Sequence, residues 1–149
     1  MALKYEEAYE WYEAKLNNRG WSVSAFTPTG DLVVSIWTTL LTPGTEAGSL
    51  VYEDVLSTWR GNAHGRTELR RHLEQVRETG KRIRLIEAIP TGTQAAAMVG
   101  EVANEAGIPK TFRIRSELIG TLEEFDGDRL RYIFRTEVTG TPNEAIERF

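Results

Sequence analysis

The chain has 149 residues, 22 acidic and 18 basic side chains, a formal net charge of −4 and no cysteine. That length suits one domain burying roughly 70% of its unfolded surface, which needs no metal or cross-link to hold it. The missing cysteines exclude a disulfide framework, thiolate metal ligands and a cysteine nucleophile, and the acidic balance disfavours nucleic acid, whose binders neutralise phosphate with a basic field.

The N-terminal residues lack a basic start followed by an apolar run, and no stretch approaches the ~18 apolar residues of a membrane helix. The expectation is a soluble, cytoplasmic protein with no membrane partner. Residues 5–17 read as the first helix, because Ala8, Trp11, Tyr12 and Leu16 recur at three- and four-residue spacing. Asn18-Arg19-Gly20 ends it. Residues 22–26 read as a short second helix with Ser22 as N-cap, which Pro28 keeps from extending.

Residues 31–41 are rich in Val, Ile, Trp and Thr, which fit a pleated surface, and they read as a strand. Residues 43–49 form a Gly/Thr/Pro loop. Residues 50–59 read as another strand able to pair back on the previous one as a hairpin. Residues 66–79 are the main helix, with Leu69, His72, Leu73 and Val76 on one face and Gly80 as its stop.

Residues 82–138 read as four antiparallel strands with the earlier elements laid over their concave side. Ile83, Leu85 and Ile89 mark the first by period-2 alternation. Residues 94–103 are an alanine-rich second strand. Phe112, Ile114, Leu118 and Leu122 carry the third. Asp126-Gly127-Asp128 is a hairpin turn into the fourth, which places Leu130, Tyr132, Phe134, Thr136 and Val138 on one face. The tail 139–149 reads as loosely packed. The whole is an α+β layout in which a curved antiparallel sheet carries helices on one side.

Three stretches resemble the nuclear transport factor 2-like superfold in its SnoaL-like branch of polyketide cyclases and epoxide hydrolases. His64-Gly65-Arg66-Thr67-Glu68-Leu69 is similar to the opening of that family's central helix. Ile86-Glu87-Ala88-Ile89 with Thr91-Gly92-Thr93 resembles the next element. Phe125-Asp126-Gly127-Asp128-Arg129-Leu130 resembles the last hairpin. The resemblance implies a single domain over 1–149, a cone-shaped sheet covered by N-terminal helices, a ligand pocket inside the cone, and an extra hairpin over 41–61, which is longer than the family's usual connection.

It also implies which strand positions face inward: Ala95, Ala97, Val99, Glu101 and Ala103. Glu101 among small apolar side chains would have a raised pKa, which suits general acid–base work. The plainer alternative is that this strand faces the other way, or that Glu101 forms an ion pair. Cyclases of this superfold place an acid on the final strand, and here that position is Arg135, a departure from the pattern. A Glu101–Arg135 pair could orient a polar substrate, or could merely close the pocket. Tyr132 and Arg135 have opposite parity, so without a bulge only one of them faces the cone.

Trp11, Tyr12, Trp37, Tyr52, Trp59 and Tyr132 are numerous enough to wall a pocket for a flat apolar ligand of polyketide, terpenoid or steroid size, or to be ordinary core. His64 and His72 are the only histidines and there is no cysteine, so no metal is expected. No cofactor motif is present. Two readings follow. One is a cofactor-independent cyclase, isomerase or hydrolase with Glu101 and Arg135 as catalytic residues and Trp11, Tyr12, Trp37, Trp59, Val99 and Tyr132 around the substrate. The other is a non-catalytic ligand-binding or dimerising module. A homodimer is expected, with Arg113, Arg115 and Glu117 alternating on its contact face.

Overall fold

The computed structural model describes residues 3–59, 62–91 and 109–136. These residues form an α+β protein with two helices and a mixed eight-stranded sheet that is neither closed nor strongly curled. Helix α1 is Tyr5–Trp11, and α2 is Ala63–Thr79. The strands are β1 (Ser24–Phe26), β2 (Leu32–Trp37), β3 (Thr42–Pro43), β4 (Leu50–Val55), β5 (Ile83–Pro90), β6 (Lys110–Ile114), β7 (Leu118–Phe125) and β8 (Arg129–Thr136). Their order in the sheet is β1-β2-β5-β7-β8-β4-β3, and β6 also pairs with β5.

The described strands of the expected 82–138 meander do pair antiparallel with one another, but the sheet as a whole is mixed and not the curved antiparallel cone expected. β2 and β5 run parallel, Leu32 opposite Ile83 and Trp37 opposite Ala88. A parallel pair needs a long crossover, and here the segment containing β4 and α2 supplies it. β4 pairs along its length with β8, and the two-residue β3 adds a short antiparallel ladder to its other side. The expected strand through Phe112 and Leu122 is two strands, because the chain turns at Ser116–Glu117. The expected alanine-rich strand 94–103 and the tail 139–149 lie outside the described residues.

Helix α1 is shorter than its apolar stripe promises. Glu13 takes a left-handed backbone (φ 63°), and the Ala14 N–H returns to the Tyr9 carbonyl at 3.0 Å, so the helix stops after Trp11. Residues 22–26 are no helix: β1 pairs Ser24 with Val34 and Phe26 with Leu32. Helix α2 is defined at both ends. The Asn62 carboxamide oxygen accepts from the His64 N–H at 2.8 Å, and Gly80 (φ 71°) returns its N–H to Val76 at 2.8 Å.

The two helices pack on opposite faces of the sheet. Side chains alternate along a strand, so Leu32, Val34 and Ile36 of β2 lie on one face and Val33 on the other. The first set joins Leu69, Leu73 and Val76 of α2, with Ile83, Leu85, Tyr132 and Phe134, in the main core. Val33 and Ile86 join Ala8, Tyr9 and Tyr12 of the α1 region. Burial on both faces accounts for the unbroken Leu-Val-Val run, which an open half-buried strand would not show. Among the described residues no helix is long and apolar enough to cross a membrane.

Candidate functional site

A cavity of about 490 Å³ opens beside β2. Val34, Ser35, Ile36 and Trp37 all line it. Four consecutive residues of a strand point alternately to opposite faces, so a cavity touching all four meets the strand at its edge. The cause is the length of β1, whose pairing with β2 begins at Ser24 opposite Val34. Beyond that point the chain at Trp21, Ser22 and Val23 swings away and becomes the opposite wall.

Two tyrosine hydroxyls hold that wall in place. Tyr5 donates to the Ser22 carbonyl at 2.7 Å, Tyr9 donates to the Val23 carbonyl at 2.8 Å, and Tyr9 also reaches the Ser35 hydroxyl at 3.1 Å. Burial raises the Tyr9 pKa well above its ordinary value, so it remains a neutral donor. On the far side, Gly65 lets α2 approach closely. A Cβ there would lie 2.5 Å from the Trp21 carbonyl oxygen.

The floor comes from β4 and β8. Tyr52 and Tyr132 are direct cross-strand partners, their ring centroids 5.5 Å apart and their planes 30° from parallel, and both line the cavity. Behind them Asp54 accepts from the Tyr52 hydroxyl, from the Trp59 indole N–H at 2.6 Å and from the Val55 N–H at 2.8 Å. Burial raises the pKa of both tyrosines, and the Asp54 charge raises them further. Tyr132 is 1% exposed, borders the cavity, and its hydroxyl has no hydrogen-bond partner among the described residues. Lys110 lies 5.7 Å from the Trp37 ring centroid near Phe112.

Of the site residues proposed from sequence, the structure brings Trp37, Trp59 and Tyr132 together around this cavity, with Tyr52. Trp11 does not join them; it is 56% exposed at the end of α1. Tyr12 is buried on the α1 face, where its hydroxyl donates to the Leu85 carbonyl at 2.9 Å beneath the Arg84 guanidinium. Burial lifts its pKa to about 12 despite that guanidinium. Arg135 sits on the face of β8 opposite Tyr132, bound to Glu46 at 3.0 Å and near Glu123 at 3.9 Å. Glu101 and Val99 lie outside the described residues.

The remaining polar candidates are placed elsewhere. His64 stacks near Trp21, with ring centroids 5.5 Å apart. His72 bonds through Nδ1 to the buried Ser24 hydroxyl at 2.8 Å. Arg113 and Arg115 converge on the buried Glu87 at 3.1 and 2.8 Å, and Arg115 also holds Glu117 at 2.7 Å, so the expected contact-face charges are engaged within the chain.

Asp54, Tyr5, Ser35 and Trp21 were not singled out by sequence reasoning. Only Asp54 left a signal there: it stands two residues from Tyr52, which puts both on one face of a strand. No protein-family model, curated protein or solved structure matches the chain.

Proposed function

We propose that the protein binds a small, flat, largely apolar molecule in the cavity at the edge of β2. The observation that carries this reading is Tyr132. Its hydroxyl makes no hydrogen bond among the described residues, and the residue borders a cavity large enough to hold a group that would supply one. Trp37, Trp59 and Phe112 give that space aromatic walls. Asp54, with three donors on it, acts as a positioning group rather than a proton carrier.

The acid–base alternative stands on Glu101, and Arg135 supports it less, being turned to the other face of β8 and bound to Glu46. Membership of the nuclear transport factor 2-like superfold remains part of the proposal, supported by the α+β composition and the Asp-Gly hairpin. The binding reading does not depend on it.

N-phenyl-1-naphthylamine, an uncharged fluorescent probe, should bind with one-to-one stoichiometry and quench tryptophan emission. Ala88, which lines the cavity, offers the control: Ala88→Phe fills the space and should weaken the probe at least tenfold while leaving the unfolding midpoint within a few degrees. A folded Ala88→Phe variant that binds the probe as the parent does would overturn the reading.

A further inference from the structure

We propose that the ligand is anchored through a hydroxyl group, a phenol or a planar alcohol, seated between Tyr52 and Tyr132. The inference rests on the binding reading above and goes beyond it by naming the chemical group recognised.

A carboxylate can only accept hydrogen bonds. Because the Tyr52 hydroxyl donates its proton to Asp54, its oxygen has only lone pairs left to offer a ligand in the cavity that Tyr52 lines. Asp54 is itself fixed by the Trp59 indole and the Val55 amide, so this polarity is built into β4 and the turn after it. Tyr132 is the complement. Its proton is uncommitted among the described residues, and burial keeps it on the oxygen.

The two side chains are direct cross-strand partners on one face, with ring centroids 5.5 Å apart. The floor of the cavity therefore pairs one acceptor with one donor.

One atom satisfies both only if it can donate and accept. A hydroxyl does. A ketone, ester or ether oxygen meets Tyr132 and leaves the Tyr52 lone pair without a donor. An ammonium meets Tyr52 and leaves the Tyr132 proton without an acceptor. Sites built around a buried donor and acceptor reject analogues that leave one of them unmet, and the rejection is large. The aromatic side chains above the floor fit the rest of a flat ring system.

The test uses two probes of the same shape, 2-naphthol and 2-methoxynaphthalene, titrated calorimetrically into the intact chain. 2-Naphthol should bind at least tenfold more tightly. Tyr52→Phe, which removes the acceptor, should narrow the difference below threefold. Tyr132→Phe, which removes the donor, should weaken 2-naphthol by a similar factor and serves if the first variant fails to fold. Equal affinity of the two probes for the parent chain, the result if solvent alone meets the tyrosines, overturns the inference while N-phenyl-1-naphthylamine binding keeps the cavity reading standing. Binding of none of the three probes overturns both.

Discussion

Arg115, just past the end of β6, reaches Glu87 in the middle of β5 at 2.8 Å and closes a cluster in which Arg113 and the Thr38 hydroxyl grip the same buried carboxylate. Burial alone would raise the Glu87 pKa. The hydrogen bonds from Thr38, Arg115 and Arg113 outweigh it, and the net shift is downward from the ordinary 4.5. A folded-state pKa below the unfolded one gives stability that is complete above 4.5 and is lost as pH falls through the depressed value. Glu87→Gln should therefore lower stability by about 2 kcal/mol at pH 7. In urea titrations the gap to the parent should shrink below pH 4.5; a gap that stays constant to pH 3 would contradict the assignment.

His72 predicts a second pH effect in a different window. Burial against β1 and the neighbouring Arg71 lower its pKa from 6.5, and the Glu68 carboxylate only partly opposes them. The folded chain keeps the imidazole neutral, bonded to Ser24, while the unfolded chain protonates it more readily. Stability should then decline as pH drops through 6.5, the reverse of a histidine that gains an acidic partner. His72→Asn should flatten the curve of unfolding free energy between pH 7 and 5.5. An unchanged slope in that variant would move the effect to other groups.

Gly65 and Gly80 should respond differently to alanine. At Gly65 the new methyl would press on a backbone oxygen that cannot swing aside, so Gly65→Ala should cost about 2 kcal/mol and also loosen the Trp21 wall, weakening probe binding. Gly80→Ala meets no atom within 4 Å, and its penalty of about 1 kcal/mol comes only from the left-handed backbone. Its probe affinity should match the parent. Chemical denaturation with probe titration on both variants separates the two causes.

Removing the carboxylate behind the tyrosines should do more than remove a charge. Asp54→Ala strips the acceptor from the Trp59 indole and from Tyr52 at once, and about 2 kcal/mol of stability should go with it. Tyr52 then regains a free proton. The preference for 2-naphthol over 2-methoxynaphthalene should fall, because the floor would now offer two donors. A variant that keeps the full preference would show that Asp54 does not set the polarity of Tyr52.

Local signals were legible where local chemistry decides. Gly80 stopped α2, the Asp126-Gly127 turn joined β7 to β8, and the alternation around Ile83 and Leu85 marked β5. Tertiary contacts overrode the rest. Residues 22–26 have a good helix cap in Ser22, yet two tyrosine hydroxyls and the edge of β2 hold them extended. Of the expected α1 stripe Ala8, Tyr12 and Leu16 are buried, but the turn at Glu13 ends the helix, carries Tyr12 to the Leu85 carbonyl and leaves Trp11 in solvent.

The aromatics at 37, 52, 59 and 132 were visible as candidates, and no periodicity could say that β1 stops short of Ser35, the omission that creates the cavity.

The parallel contact between β2 and β5, and the seat of β8 between β7 and β4, also set an order of assembly. Leu32 cannot find Ile83 until α2 has been made, and β4 gains its full-length neighbour only when Phe134 has been synthesised. Contacts so distant along the chain form slowly, since the loop must close before any pairing rewards it. On the ribosome the N-terminal third would wait with β4 unpaired along a long edge, the kind of surface that chaperones cover and that misfolding exploits.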